Sequence, residues 1–538
     1  MILPKTGECE QTGFRVLRSR SDLPPYCPDL MPNILLITSD QQHWNTLGRH
    51  LPEIQTPHLD RLAGQGIDCR RAYCPNPTCT PSRASIITGQ YPSAHGAWSL
   101  GTKLPEDVPT VGGLFSRAGY STGLIGKAHF QPLASTERYP SLECHPMVRD
   151  LDFWRDFHGP FYGFDHVELA RNHGDEAHAG QHYALWMEEK GAHDWSRHFQ
   201  SRIGKNDYSK GSNPNPPQHG AWSLPERLHM NAWITERSSA FIRSARDAGR
   251  PFFLWASYFD PHPPYLVPEP WASMYDPETI TLPTGTPGEH DRTPPHFALT
   301  QSRNPDFSAY QETPHANHGL SSHLMDPGAL RKDIAVYYGM ISMLDHYVGK
   351  LLDDLEAQGL AEDTLVVFTS DHGHYYGHHG LTKKGPFHYE DGIRVPLIAR
   401  WPGRIPAGQK SSALVSLVDL PVTMLGAARI DPDPGMVGRN ALPVWQSEAH
   451  TLRDDLLVEF RHQPNTIHLR TLVGPRYKIT IYRGQPYGEL YDLEEDPGEI
   501  NNLWDDPAAS EIKADLIRRM LDASMEAEPL WMPRIAGA

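Results

Sequence analysis

Three strand-length apolar runs in this chain each end on a polar cluster, and that repetition constrains the fold more than any other feature. Asn33 to Ser39 runs into Asp40-Gln41. Pro251 to Tyr258 runs into Asp260-Pro261-His262. The run 364–369 ends at Ser370-Asp371-His372. A continuous apolar run, rather than an alternating one, marks a strand covered on both faces, as in a parallel sheet. Gly123-Leu124-Ile125-Gly126 reads as a further short buried strand. Helix signals lie between these runs. Thr56 to Gln65 predicts a helix with Thr56 at its N-cap and Pro57 just inside. Lys332 to Ala357 predicts a long amphipathic helix. There Ile334, Tyr337, Ile341, Leu344, Val348, Leu351 and Leu355 recur at spacings of three and four, and Gly359 supplies the stop. Strands alternating with helices predict an α/β fold with a large doubly wound sheet flanked by helices. In such a sheet, ligands bind beyond the carboxyl ends of the strands. One Asp after a strand is ordinary turn or cap chemistry. Three clusters at three strand ends predict one shared site.

Other stretches differ in character. Residues 145–225 and 280–330 are rich in His, Pro, Asn, Trp and Gly with weak periodicity, and read as long insertions around a site. From about Leu442 the pattern changes again. Leu469 to Tyr482 and Gly488 to Leu493 read as antiparallel strands, followed by a surface helix from about Pro507 to Met525. The expected organisation is an extension over 1–30, a catalytic α/β domain over 31–441, and a smaller C-terminal α+β subdomain over 442–538. Residues 1–30 carry charges and Pro24-Pro25 but no apolar leader core, so cytoplasm is the expected location. This extension reads either as an arm packing on the fold or a partner, or as a start codon placed too early.

Composition narrows the function classes. Of 538 residues, 39% are hydrophobic and 21% charged, enough for a sizeable core. No run reaches the roughly 18 apolar residues of a membrane helix. The net charge of −16 argues against general nucleic-acid or anionic-membrane binding and leaves room for a locally positive site taking a small anion. The six cysteines form no CxxC zinc pair. Five of them read as plain thiols in a reducing compartment.

The sixth, Cys79, lies in Cys79-Thr80-Pro81-Ser82-Arg83-Ala84-Ser85-Ile86-Ile87-Thr88-Gly89. A Pro here suits the first turn of a helix. A helix N-terminus offers free N–H groups and a positive dipole end to an anion, and Arg83 adds a cation with planar donors. Cys79-Thr80-Pro81-Ser82-Arg83 with Thr88-Gly89 resembles the signature of type I, formylglycine-dependent sulfatases of the alkaline phosphatase superfamily. The likeness runs onward from Asn33. Lys127-Ala128-His129 resembles the family's lysine-x-histidine pair, and Asp260-Pro261-His262-Pro263-Pro264 its catalytic histidine segment. Ser370-Asp371-His372-Gly373, Gly377-His378-His379-Gly380 and Lys384-Gly385 resemble its second metal and lysine segment. Gly488-Glu489-Leu490-Tyr491-Asp492-Leu493 with Asp496-Pro497-Gly498-Glu499 resembles its C-terminal subdomain.

The resemblance implies an alkaline phosphatase-like mixed sheet and a mechanism. Cys79 is oxidised to formylglycine by a separate maturation enzyme. One divalent ion, Mn²⁺ or Ca²⁺, binds Asp40, Gln41, the residue at 79, Asp371 and His372. One hydroxyl of the hydrated aldehyde attacks sulfur. Arg83 and Lys127 hold the diol or the sulfate, and His262 and Lys384 neutralise the leaving oxygen. His129 deprotonates the second hydroxyl so that sulfate is expelled, a step for which a plain serine has no hydroxyl to spare. Many relatives carry two acidic residues where this chain has Asp40-Gln41, and Asn where it has His372. The Gln and His pattern resembles the branch that includes phosphonate monoester hydrolases, yet that branch tends to replace the Lys127 and His129 types. Relatives also often carry Asn in the segment after His95-Gly96, where this chain has Leu100. The expected activity is hydrolysis of small sulfate monoesters, with aryl esters among them. The alternative is a phosphonate monoester or phosphodiester hydrolase, or promiscuity for both. A homodimer is expected. A non-catalytic metal- or anion-binding protein with Cys79 unmodified is the rival from another class.

Overall fold

The computed structural model describes residues 31–200, 219–283, 285–315, 317–532 and 534–537. The expectations for residues 1–30 lie outside them. Eight strands form the main sheet: β1 (Asn33–Ser39), β2 (Ile67–Cys69), β3 (Ser121–Lys127), β4 (His166–Ala170), β5 (Phe252–Ser257), β6 (Thr364–Ser370), β7 (Leu397–Arg400) and β8 (Gln409–Ser411). Their order is β8-β2-β7-β6-β1-β5-β3-β4. Only β7 runs against the others, so the sheet is mixed, as expected. β1 pairs with β6 from Asn33–Thr364 to Ser39–Ser370 and with β5 from Ile34–Phe253 to Thr38–Ser257. This register brings the carboxyl ends of β1, β5 and β6 to one level.

Both faces of the sheet are covered, which is why the runs are apolar throughout. Leu35, Ile37, Leu254, Ala256, Val366 and Phe368 pack on one side. Ile34, Leu36, Phe253, Trp255, Leu365 and Val367 pack on the other. Helices α2 (Met230–Asp247) and α3 (Pro327–Ala357) cover the first face, and α1 (Cys79–Thr88) lies on the second.

All seven apolar positions expected in α3 are buried, but the helix begins at Pro327, five residues before Lys332. The Asp326 carboxylate accepts from the Gly328 and Ala329 N–H groups, and Pro327 occupies the first helical position, where its missing N–H costs nothing. The helix Pro57–Gly64 has Thr56 at its N-cap, but the Thr56 hydroxyl accepts from Gly48 instead. The orphan N–H groups of His58 and Leu59 go to the Asp345 carboxylate on α3, a cap that no local pattern encodes.

One expectation is corrected. Residues 145–225 are more than an insertion, because they contribute edge strand β4, paired in parallel with β3. His166 and Glu168 interrupt its apolar run, and Arg237 Nε on α2 donates to both Glu168 carboxylate oxygens, so the strand carries no apolar signature. The C-terminal sheet has four antiparallel strands, β9 (Leu456–Gln463), β10 (Ile467–Val473), β11 (Tyr477–Tyr482) and β12 (Gly488–Asp492), in sequence order. The stretch from Leu469 to Tyr482 is thus two strands, and β9 is an addition to the expected set. Helix α4 (Ser510–Glu526) packs on this sheet through Leu516 and Met520.

Candidate active site

Cys79 is the first residue of α1, and Gly89 ends that helix in the left-handed conformation at φ 62°. The first turn is clamped to the end of β6. The Ser82 hydroxyl donates to the Asp371 carbonyl at 2.5 Å, and Arg83 Nε donates to Asp371 Oδ2 at 2.8 Å. Arg83 Nη1 also donates to the Lys127 carbonyl at 2.9 Å and to Ser257 Oγ at 2.7 Å. One guanidinium thus ties together the ends of β3, β5 and β6, and its Nη2 is buried without a hydrogen-bond partner.

Cys79 Sγ lies 3.7 Å from Asp40 Oδ1 and 3.3 Å from His372 Nε2. One donor atom from each of Asp40, Cys79, Asp371 and His372 falls within 4.8 Å of the others. All four side chains are fully buried. Gln41 adjoins them in a left-handed backbone conformation at φ 61°, a strain that persists where surroundings over-determine it. Its Nε2 pairs with His374 Nδ1 at 3.0 Å, and its Oε1 is buried without a partner. An orphaned carbonyl oxygen beside two carboxylates and an imidazole fits a divalent cation. The neutral Gln and His donors suit Mn²⁺ as well as Ca²⁺.

Cationic side chains gather near Cys79. Lys127 Nζ donates to Asp40 Oδ2. Lys384 Nζ lies 3.0 Å from Cys79 Sγ, 3.0 Å from His262 Nε2 and 3.4 Å from His372 Nε2. Burial alone would push the Cys79 thiol up, but Lys127, Lys384 and His372 bring it well below its ordinary range. Burial, with the Lys384 charge beside it, takes His262 down to about 3. Burial and Arg171 likewise hold His129 well below the ordinary imidazole range. Arg171 and Lys384 can only donate, so His129 Nε2 and His262 Nε2 both accept, and each ring is neutral with its proton on Nδ1.

Every residue expected in the site from sequence is thus drawn to the carboxyl ends of the strands. Between the two adjacent lysines, Lys384 is the buried one at Cys79, whereas Lys383 is exposed and reaches Ser321 Oγ at 2.8 Å. Other histidines near the motifs have different partners. His374 holds Gln41 and the Tyr265 hydroxyl, and His388 pairs with Thr471. His379 sits between Glu289 and Asp391. His43, His378 and Asp391 also cluster. His43 Nδ1 accepts from the Asn45 N–H at 3.1 Å, so Nε2 carries a proton into Asp391 at 2.7 Å, and hydrogen bonding accounts for that group. Arg394 lies over Trp44 at 3.8 Å, a brace outside the site.

Sequence reasoning missed the contribution of β4. Just past Ala170, Arg171 Nη2 meets His129 Nε2 at 2.8 Å, and His173 Nε2 meets Lys127 Nζ at 2.8 Å. The available signal was a fourth polar cluster, Arg171-Asn172-His173, after a strand too polar to be recognised.

Fold and family match together define a sulfuric ester hydrolase of alkaline phosphatase type. The sulfatase family model matches residues 32–430, and a model for the C-terminal part of N-sulphoglucosamine sulphohydrolase matches 377–526. The chain belongs to the sulfatase family. It is 29% identical to an arylsulfatase of Clostridium perfringens over 92% of this chain and 95% of the relative. It is 26% identical to the multifunctional alkaline phosphatase superfamily protein PehA of Trinickia caryophylli, over 91% and 94% of the two chains. Its fold matches a phosphonate monoester hydrolase from Silicibacter pomeroyi at a TM-score of 0.73, with 24% identity over 93% and 96%. Among the described residues, no helix is long and apolar enough to cross a membrane.

Proposed function

We propose that the protein hydrolyses sulfate monoesters, aryl sulfates among them, with Cys79 oxidised to formylglycine as the nucleophile. The reading is carried by one observation: Cys79 belongs to a cation-fitting donor set with Asp40, Asp371 and His372 and lies 3.0 Å from Lys384 Nζ, while Lys127 and Arg83 are paired to the Asp40 and Asp371 carboxylates of the same set. A hydrated aldehyde at 79 supplies one hydroxyl to attack sulfur and a second through which sulfate is released. A divalent cation held by Asp40, Gln41, Asp371, His372 and residue 79 supplies positive charge that acidifies the attacking group. Lys127 and Arg83 orient the sulfate oxygens. Lys384, which donates to neutral His262 Nε2 at 3.0 Å, delivers a proton to the departing oxygen, and His262 holds the ammonium in place. His129 accepts the proton of the second hydroxyl on Nε2, the nitrogen to which Arg171 donates at 2.8 Å, once that hydrogen bond gives way.

The rival reading is phosphonate monoester or phosphodiester hydrolysis in the same site. It draws on the neutral donors Gln41 and His372, which resemble the phosphonate branch. Mass spectrometry of the tryptic peptide carrying Cys79, from protein coexpressed with a formylglycine-generating enzyme, tests maturation. Oxidation of CH₂SH to CHO removes about 18 Da. The mature enzyme is then given an aryl sulfate and an aryl phenylphosphonate. A kcat/KM preference above roughly tenfold for the phosphonate, about 1.4 kcal/mol, reverses the assignment. Turnover by a fully unmodified thiol overturns the nucleophile. Cytoplasmic location and a homodimer belong to the same proposal, and light scattering of the purified protein checks the second.

A further inference from the structure

We infer that His173, backed by Glu176, is a positioning residue that sets two groups of the site at once, Lys127 and His262. The inference rests on the sulfatase reading for what those two groups do. The geometry is specific. His173 Nε2 faces Lys127 Nζ at 2.8 Å, and an ammonium can only donate, so this nitrogen accepts. The opposite nitrogen, Nδ1, faces Glu176 Oε2 at 3.1 Å and therefore carries the proton. The same carboxylate oxygen accepts the His173 backbone N–H at 3.0 Å, so Glu176 fixes the tautomer and the ring's place in the chain. The flat face of the ring lies on His262, with centroids 3.9 Å apart and planes inclined by 19°.

Lys127 is thereby directed by two acceptors, Asp40 Oδ2 and His173 Nε2, which leaves its third N–H free for an anion. His262 is set with one face on His173, so that Nε2 points at Lys384 while Nδ1 meets the Pro263 carbonyl at 2.5 Å. Without the stacked ring, nothing in this contact set holds the His262 plane on that side. Both ends of the substrate, the sulfate oxygens and the leaving oxygen, therefore depend on one side chain supplied by the segment just past β4.

Two substitutions separate the functions. His173→Phe keeps an aromatic face for His262 and removes the acceptor for Lys127. His173→Gln keeps an acceptor and removes the stacked ring. The readouts are the affinity of the metal-loaded mature enzyme for inorganic sulfate by calorimetry, and kcat/KM on an activated and an unactivated aryl sulfate. His173→Phe should weaken sulfate binding about tenfold, equivalent to about 1.4 kcal/mol, while the ratio of rates on the two esters stays near that of the parent. His173→Gln should leave sulfate affinity within about threefold and depress the unactivated ester at least about tenfold more than the activated one. Glu176→Gln should move both readouts in part. A purely structural role lowers the active fraction and scales both esters equally, so an unchanged ratio in His173→Gln with unchanged sulfate affinity in His173→Phe overturns the inference. If the parent binds sulfate but turns over neither ester, the sulfatase reading fails while the sulfate affinities still decide the Lys127 half. A parent that neither binds sulfate nor turns over an ester overturns both.

Discussion

Gly126→Ala is the sharpest test of how the sheet builds the site. Gly126 lies in β3 one residue before Lys127 and has φ 111°, a conformation open to glycine alone at little cost. A Cβ at this position would sit 1.9 Å from the Ser257 carbonyl oxygen and 3.1 Å from Ile234 Cδ1. Ser257 is the register partner of Gly126 on β5, so the obstacle is backbone and cannot swing aside. Forcing a side chain into that φ costs about 1–3 kcal/mol, and overpacking the strand interface adds about 1–3 kcal/mol. The expected loss of stability is therefore about 2–6 kcal/mol. The site suffers with it. The Lys127 carbonyl and Ser257 Oγ both hold Arg83, so strands that part by about 1 Å displace Lys127 and Arg83 together. A displacement of that size costs on the order of a hundredfold in rate. The assay is kcat/KM on an aryl sulfate, normalised to formylglycine content, beside urea unfolding followed by tryptophan fluorescence. A variant within about 0.5 kcal/mol and threefold of the parent would refute the claim that this close backbone approach sets the register of Lys127.

Further tests reach other parts of the molecule. Lys384→Ala should lower kcat/KM by roughly 10²–10⁴, most on esters with basic leaving groups, as a pair of Brønsted plots would show. Removing the divalent ion with a chelator should abolish turnover, and readdition of Mn²⁺ or Ca²⁺ should restore it, with the more effective ion read from the recovered rate. Burial alone would lower His379, but Asp391 and Glu289 hold it up to about 9. Its stabilisation is complete below the ordinary value of 6.5 and is lost as pH rises through 9. His379→Gln should therefore cost about 3 kcal/mol in urea titrations at pH 6 and much less at pH 10. Asp345 runs the other way. Burial raises it to about 7 against the His58 and Leu59 N–H groups that favour its charge. The native state thus loses stability through this group as pH rises from about 4 toward 7. Asp345→Asn should gain on the parent across that window, and a variant that loses ground there would contradict the assignment.

The three buried strands and their polar ends were legible in the sequence because both sheet faces are covered, which writes Asn33–Ser39, Phe252–Ser257 and Thr364–Ser370 as unbroken apolar runs. Asp40 and Asp371 follow two of them directly, and His262 comes five residues after Ser257. Cys79 was legible as a helix start, and its motif pointed to the family. The start of α3 at Asp326-Pro327 was readable as a cap followed by Pro, yet the apolar stripe drew attention to a later residue. β4 was not legible. An edge strand with a polar face looks like loop until β3 pairs with it.

What the sequence by itself determined is the inventory of chemistry and the fold class, because residue type and hydrophobic period act locally. What only the tertiary structure decided is how those groups face one another. Arg83 spans three strand ends, and the Asp345 carboxylate caps a helix from 286 residues away. His173 reaches Lys127 and His262 from a segment with no periodicity of its own. Hydrogen bonds and ring stacking act over a few ångströms, and chain distance says nothing about them until strand register and helix packing have set the neighbours.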